Sequence, residues 1–268
     1  QNNASNSEGS LRATYTISDT AANISSQIDS SGTNDPDVIE NASAVSVTTA
    51  ATSAQATNLR SIISHAGAIA FDISDAASAL YSGDALTAAA AANVNVATNV
   101  TVTDAINVAK GTALRAGTNS GTYTYSISDT AAAVAAGATA TANGATSITC
   151  TGTAATGPEA TTLAALTPSV TYSISDSAAD LEAATTSTAG LNGAVNIVAT
   201  GDVATAAATT KLLAATNSGT TTIAEVGVTS AEAKNLTLTS NDTISTLTVS
   251  GTTTIADAVT INAKDTGS

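Results

Sequence analysis

The 268-residue sequence has no Trp and no Met, one Cys, one His, three Pro and six aromatic side chains, five Tyr and one Phe. Each shortage excludes something. Seven Lys and Arg stand against 21 Asp and Glu, a formal net charge of −14. So acidic a chain cannot neutralise a run of phosphates, and 2% aromatics leave no platform on which bases could stack, so nucleic acid is not an expected partner. A basic membrane-surface helix is excluded for the same reason, and no stretch approaches the roughly 20 consecutive apolar residues of a membrane span.

A single Cys cannot close an intramolecular disulfide, and one His with one Cys cannot supply a usual zinc ligand set. Cys150, within Ser147-Ile148-Thr149-Cys150-Thr151, reads as a small buried strand residue. No Gly-x-Ser-x-Gly elbow, phosphate loop or Gly-x-Gly-x-x-Gly turn occurs. Enzymatic activity is therefore not expected. The absence of Met and the start at Gln1 suggest a processed product from which a secretory signal has been removed.

What remains is a light chain of 25.8 kDa rich in Ala, Thr, Ser and Gly. Such a composition can mark disorder, but 43% hydrophobic residues and alternating β-branched runs describe a chain able to bury surface. The core must be thin, closed by Ala, Val, Ile and Leu in shallow layers.

Self-similarity carries the most information. Four segments match: Tyr15-Thr16-Ile17-Ser18-Asp19-Thr20-Ala21-Ala22, Phe71-Asp72-Ile73-Ser74-Asp75-Ala76-Ala77, Tyr125-Ser126-Ile127-Ser128-Asp129-Thr130-Ala131-Ala132 and Tyr172-Ser173-Ile174-Ser175-Asp176-Ser177-Ala178-Ala179. Their Asp residues lie 56, 54 and 47 residues apart. Between them fall Val45-Ser46-Val47, Val100-Thr101-Val102, Ile148-Thr149-Cys150 and Val195-Asn196-Ile197, followed by Ala/Thr-rich stretches ending in Leu59, Leu114, Leu163 and Leu212. A period of about 50 residues is that of a stacked array, and each unit reads strand, short helix, strand, short helix. Thr118-Asn119-Ser120-Gly121-Thr122 recurs as Thr216-Asn217-Ser218-Gly219-Thr220, a turn before the next strand.

Within the motif, an aromatic and an Ile two positions on share one face of a strand. Stacked units would align Tyr15, Phe71, Tyr125 and Tyr172 as a ladder. The Ser-Asp reads as a helix N-cap before Ala, the best helix former. The expected fold is a repeat solenoid, α/β, with short parallel strands alternating with short Ala-rich helices and becoming β-solenoid-like at the C-terminus. Residues 1–10 read as a flexible arm, 11–219 as four degenerate repeats, and 220–268 as an atypical β-rich terminal repeat or cap. There Thr220-Thr221-Thr222-Ile223-Ala224-Glu225 aligns with the start of a fifth unit, and strands are expected at 236–239, 244–249, 254–255 and 259–261.

The Tyr-x-Ile-Ser-Asp-Thr-Ala-Ala motif alternating with Val-x-Val strands resembles the tandem repeats of very large bacterial cell-surface proteins, notably of marine cyanobacteria and including swimming-associated ones. The resemblance covers roughly residues 11–219. It implies an extracellular or cell-surface location and a scaffold or adhesive role, a relation shared with phage-fibre repeats, and it transfers no catalytic residue.

The carboxylates are the candidate cation ligands. The recurring Asp19, Asp75, Asp129 and Asp176 form a calcium ladder only if they do not cap helices. Asp35 and Asp37, near Asn34 and Glu40, are the best acidic cluster for calcium; no other cofactor is expected. Six Asn-x-Ser/Thr sequons (Asn3, Asn23, Asn41, Asn99, Asn235, Asn241) are no more than Thr/Ser richness supplies. The leading expectation is a structural subunit that assembles with copies of itself into a filament, fibre or surface layer. The alternatives are an adhesin for cell-surface glycans, an ice-binding module using Thr-x-Thr pairs (Thr14/Thr16, Thr122/Thr124, Thr237/Thr239, Thr246/Thr248), or a phage fibre segment.

Overall fold

A computed structural model describes residues 15–28, 39, 42–61, 69–184, 188–254 and 256–257. The expected N-terminal arm lies outside the described residues. The fold is mixed α/β: short parallel strands alternate with short helices, and no sheet closes into a barrel. The chain packs as two compact units, residues 1–104 with 112–125, and 105–111 with 126–268.

The first unit contains β1 (Thr16–Asp19), α1 (Ala21–Ser26), β2 (Ala44–Val47), α2 (Ser53–Ser61), β3 (Ile73–Asp75), α3 (Ala77–Leu80), a small antiparallel hairpin of β4 (Tyr81–Ser82) and β5 (Ala85–Leu86), α4 (Ala88–Val94) and β6 (Val100–Val102). Helix α5 (Val108–Arg115) follows, its residues 112–115 in this unit and 108–111 in the second, and β7 (Tyr123–Thr124) completes the unit. Strand β1 pairs in parallel with β2, setting Ile17 beside Val45. Strand β3 pairs with β6 and β6 with β7 in the same sense, setting Ile73 beside Val100 and Val100 beside Tyr123. Helix α1 packs on α2, and α2 on α4.

The second unit contains β8 (Ser126–Asp129), α6 (Ala131–Ala136), α7 (Thr139–Asn143), β9 (Ser147–Cys150), α8 (Gly157–Leu163), β10 (Val170–Thr171), β11 (Ile174–Ser177), α9 (Ala178–Ala184), α10 (Ala189–Asn192), β12 (Ile197–Thr200), α11 (Ala206–Leu213), β13 (Thr221–Thr229), α12 (Ser230–Asn235) and β14 (Asp242–Ser250). Its parallel sheets run β8-β9-β10 and β11-β12-β13-β14. The register again sets apolar residues of adjacent strands side by side: Ile127 with Ile148, Ile148 with Val170, Ile174 with Ile197 and Ile223 with Ile244.

None of these helices is longer than α2, which has 9 residues. Helices so short are unstable alone in water, so packing must hold them. On the strand side Ile73, Val100, Ile127, Ile148, Ile174 and Ile197 are buried; on the helix side Leu59, Leu114, Leu163 and Leu212 are too. Between them lie buried alanines such as Ala56, Ala90, Ala160 and Ala208, which let helix and sheet approach closely. The Leu residues singled out from the sequence are thus helical core residues, and the Val-x-Val segments lie on β2, β6, β9 and the start of β12.

Isolated bridges add a second set of parallel pairings. Ala51, Ile106, Ala155 and Ala204 each form an isolated parallel bridge to Ile73, Ile127, Ile174 and Val226. Each donates its N–H to the carbonyl before that partner (Asp72, Ser126, Ser173 and Glu225, at 2.7 to 2.9 Å) and accepts from the N–H after it (Ser74, Ser128, Ser175 and Gly227). Val226 therefore occupies the position of the motif Ile.

Three expectations change. The aromatic ring ladder does not form. Phe71, Tyr125 and Tyr172 are buried, but adjacent parallel strands lie only about 4.8 Å apart and the next rung carries a short side chain. The N–H groups of Ser43, Thr98 and Val195 bind the carbonyls of Tyr15, Phe71 and Tyr172, so the strand beside each of these aromatics places a short side chain at the paired position. Tyr172 instead anchors locally, its hydroxyl donating to the Gly190 carbonyl at 2.7 Å. Residues 236–239 are not a strand: they lead from α12 into β14, whose 242–250 span includes the expected 244–249 strand. Thr254 is not in a strand either, and residues 255 and 259–261 lie outside those described.

Candidate functional site

The motif Asp does not cap the helix that follows it. In the first and third units that cap is the next residue: Thr20 and Thr130 accept from the N–H groups of Asn23 and Ala133. Ala76 gives no side-chain cap in the second, and Ser177 accepts from Asp180 N–H in the fourth. In the later three units the Asp uses one carboxylate oxygen, Oδ1, to accept from the N–H of its own successor (Ala76, Thr130 and Ser177, at 2.8 to 2.9 Å). The other oxygen reaches back one rung. Asp75 Oδ2 accepts from Ser53 N–H at 2.8 Å, Asp129 Oδ2 from Val108 at 3.0 Å and Asp176 Oδ2 from Gly157 at 3.0 Å. These donors are the first residues of α2, α5 and α8. A helix-initial N–H has no partner inside its own helix, so each carboxylate caps the helix that precedes its own strand.

The same task falls to other side chains at other rungs. Asp104 caps Ala77 N–H at 2.6 Å, and Thr49 caps Ala21 N–H at 3.1 Å. Because both oxygens of Asp75, Asp129 and Asp176 face main-chain N–H donors, their surroundings are those of a helix cap and unlike the oxygen-only shell calcium takes.

At the opposite ends of the helices, asparagines make the reciprocal link. Asn95, Asn143 and Asn192 Oδ1 accept from the N–H groups of Thr118, Thr167 and Thr216, each one rung further along the chain. Asn99 and Asn196 each accept from both the N–H and the hydroxyl of Thr122 and Thr220. The repeated Thr-Asn-Ser-Gly-Thr segment is therefore more than a turn. Asn119 and Asn217 donate to the carbonyls of Thr98 and Val195, and Gly219 N–H donates to Val195 at 2.7 Å. A Cβ on Gly219 would lie 2.6 Å from the Val195 oxygen, and one on Gly121 would strike the Thr98 carbonyl, so only Gly fits.

Other residues singled out in the sequence lie elsewhere. Asp35, Asp37 and His65 lie outside the described residues. Among the described residues no three His, Cys, Asp or Glu come together. The sequon residue Asn99 is committed to Asp72 and Thr122, and Asn23 to Asp19. Of the Thr-x-Thr pairs, Thr237/Thr239 sit in a loop, Thr246/Thr248 on β14 and Thr122/Thr124 at β7, while Thr14 is outside the described residues.

Cys150 is half-buried on β9, opposite Asp129. Burial, with Asp129 and then Glu159 nearby, pushes its thiol from 9.0 up to about 11. The thiolate is the reactive form, so iodoacetamide should label the folded protein slowly at pH 7 and faster as the pH approaches 11. Denatured protein should label readily near pH 9. Because the folded thiol holds its proton to higher pH than the unfolded one, its contribution to stability is intact below pH 9 and falls between pH 9 and 11. Equal labelling rates for folded and denatured protein would contradict this placement.

The clasp residues Ala51, Ile106, Ala155 and Ala204 were not evident from sequence. A signal existed: each directly precedes a residue, Thr52, Asn107, Thr156 or Thr205, whose side chain accepts an N–H of the following helix turn. Ala155 and Ala204 also follow closely on a Gly with positive φ, Gly152 at 77° and Gly201 at 85°. No protein family, curated protein sequence or solved structure matches this chain.

Proposed function

We propose that the chain is a structural, non-enzymatic subunit of the cell exterior, whose rungs stack as a solenoid, and that copies of it assemble into a filament, fibre or surface layer. One observation carries this reading: successive rungs are joined by the same atoms in the same way. The two-bond clasp recurs four times, and the carboxylate cap three times. A chain whose rungs bind only their neighbours is quasi-one-dimensional, and its last rung is chemically ready for another. Low charge density helps, since charged residues are 10% of the chain and few must be desolvated when such surfaces meet.

Negative-stain electron microscopy of the purified protein across a concentration series tests the proposal. Filaments or a lattice are expected. A field of uniform single particles at every concentration would contradict it.

A further inference from the structure

Building on the assembly reading above, we propose that the joint between copies is a parallel strand addition: β1 of one copy adds to the edge formed by β14 and Thr254 of another, which has no strand partner among the described residues. Two incomplete surfaces support this.

The first is at β14. Leu247 pairs with Val226, but the groups on β13 that it would bind, the Glu225 carbonyl and Gly227 N–H, are already taken by Ala204. In a parallel ladder alternate residues bond to opposite neighbours. The Leu247 N–H and carbonyl must therefore point away from β13. The pairing of Ile174 with Ile197 makes Leu247 the counterpart of Ile197, since both follow a motif-Ile position by one rung. Gly251, at φ 84°, repeats the corner made by Gly152 and Gly201, and Thr254 follows it at the three-residue spacing of the clasp residues Ala155 and Ala204, while its own hydroxyl also caps the next turn by accepting from Asp257 N–H. Those counterparts are buried; Leu247 is 37% exposed and Thr254 is exposed.

The second surface is at β1. Ile17 is half-exposed, whereas Ile73, Ile127, Ile174 and Val226 are buried. Asp19 Oδ1 accepts from Thr20 N–H and Asn23 Nδ2, yet Oδ2, which in Asp75, Asp129 and Asp176 caps the preceding rung, has no partner among the described residues. A hollow of about 380 Å³ opens beside Ile17, Asp19, Ile24 and Ile39.

The two surfaces match in kind. At each of the four clasps, a strand followed by a clasp residue is succeeded by a strand bearing the motif-Ile position. Strand β14 with Thr254 is the former type and β1 the latter. The same rule therefore sets the register: Thr254 of one copy clasps the Thr16 carbonyl and Ser18 N–H of the next, as Ala51 clasps Asp72 and Ser74.

Proline removes an outward N–H from an edge strand while leaving the inward ladder in place. The full-length variants Leu247→Pro and Ser18→Pro should each block one end only. By analytical ultracentrifugation, with circular dichroism checking the fold, each alone should sediment as the 25.8 kDa monomer while the parent chain polymerises. An equimolar mixture retains one intact end of each kind and should give a dimer, which a misfolded variant could not form. Polymers from either variant alone, or a mixture that stays monomeric, would overturn this joint while leaving assembly itself standing. A parent chain that remains monomeric would overturn both.

Discussion

Gly219→Ala should lower the stability of the folded chain by about 3 kcal/mol, the sum of three weakened hydrogen bonds at about 1 kcal/mol each. The added methyl lies 2.6 Å from the Val195 carbonyl oxygen and against Asn196 Oδ1. The Thr-Asn-Ser-Gly-Thr segment must then draw back from the preceding rung. The bonds that suffer are Gly219 N–H to Val195, and the Thr220 N–H and hydroxyl to Asn196. For a chain of this size the midpoint of thermal unfolding should fall by about 6 to 12 °C. Gly201→Ala is the control. Gly201 has φ 85° but nothing within 4 Å of an added Cβ, so its cost is only the left-handed backbone of a non-Gly residue, about 1 to 2 kcal/mol. Equal effects at the two sites would show that the close approach of successive rungs at Gly219 is wrong.

The second large effect is expected from removing the carboxylate caps together. Each Asp→Ala change at Asp75, Asp129 and Asp176 deprives two main-chain N–H groups, one on the same rung and one at the start of the preceding helix. Lost caps cost about 1 kcal/mol apiece, and sites this far apart in sequence with no shared partners add, so the triple variant should lose about 3 to 6 kcal/mol. Amide hydrogen exchange locates the effect. Asp129→Ala should speed exchange at Val108, in the preceding helix, and leave Ala133, capped by Thr130, largely protected. The reverse pattern would restore the local-cap reading of the motif.

That contrast marks how far the sequence could be read. The Tyr-x-Ile-Ser-Asp strands, the Val-x-Val strands and the Leu-terminated helices were legible because alternation and helical spacing are local properties. The partner of the Asp was not. Its second oxygen meets an N–H a full rung back along the chain, and a Ser-Asp-Thr-Ala run looks like an N-cap whichever helix it serves. The aromatic ladder failed for a related reason. The period of the motif fixes which positions are equivalent, but the chain returns to the sheet between one motif strand and the next, so the strand beside Tyr15, Phe71 and Tyr172 places a short side chain at the paired position. At β13 the motif residues are gone, and only the clasp geometry identifies Val226 as the equivalent position. The Gly of Thr-Asn-Ser-Gly-Thr was visible as a turn residue; that the neighbouring backbone leaves no room for a Cβ could be learned only from the packed structure.

Assembly of the proposed kind requires rungs that continue from one copy to the next. Fibre diffraction or electron cryomicroscopy of the assembled protein measures this directly. Continuous parallel rungs predict polymers with a strong axial spacing of about 4.8 Å, the distance between adjacent strands. Monodisperse 25.8 kDa particles at high concentration, or polymers lacking that axial spacing, would contradict it.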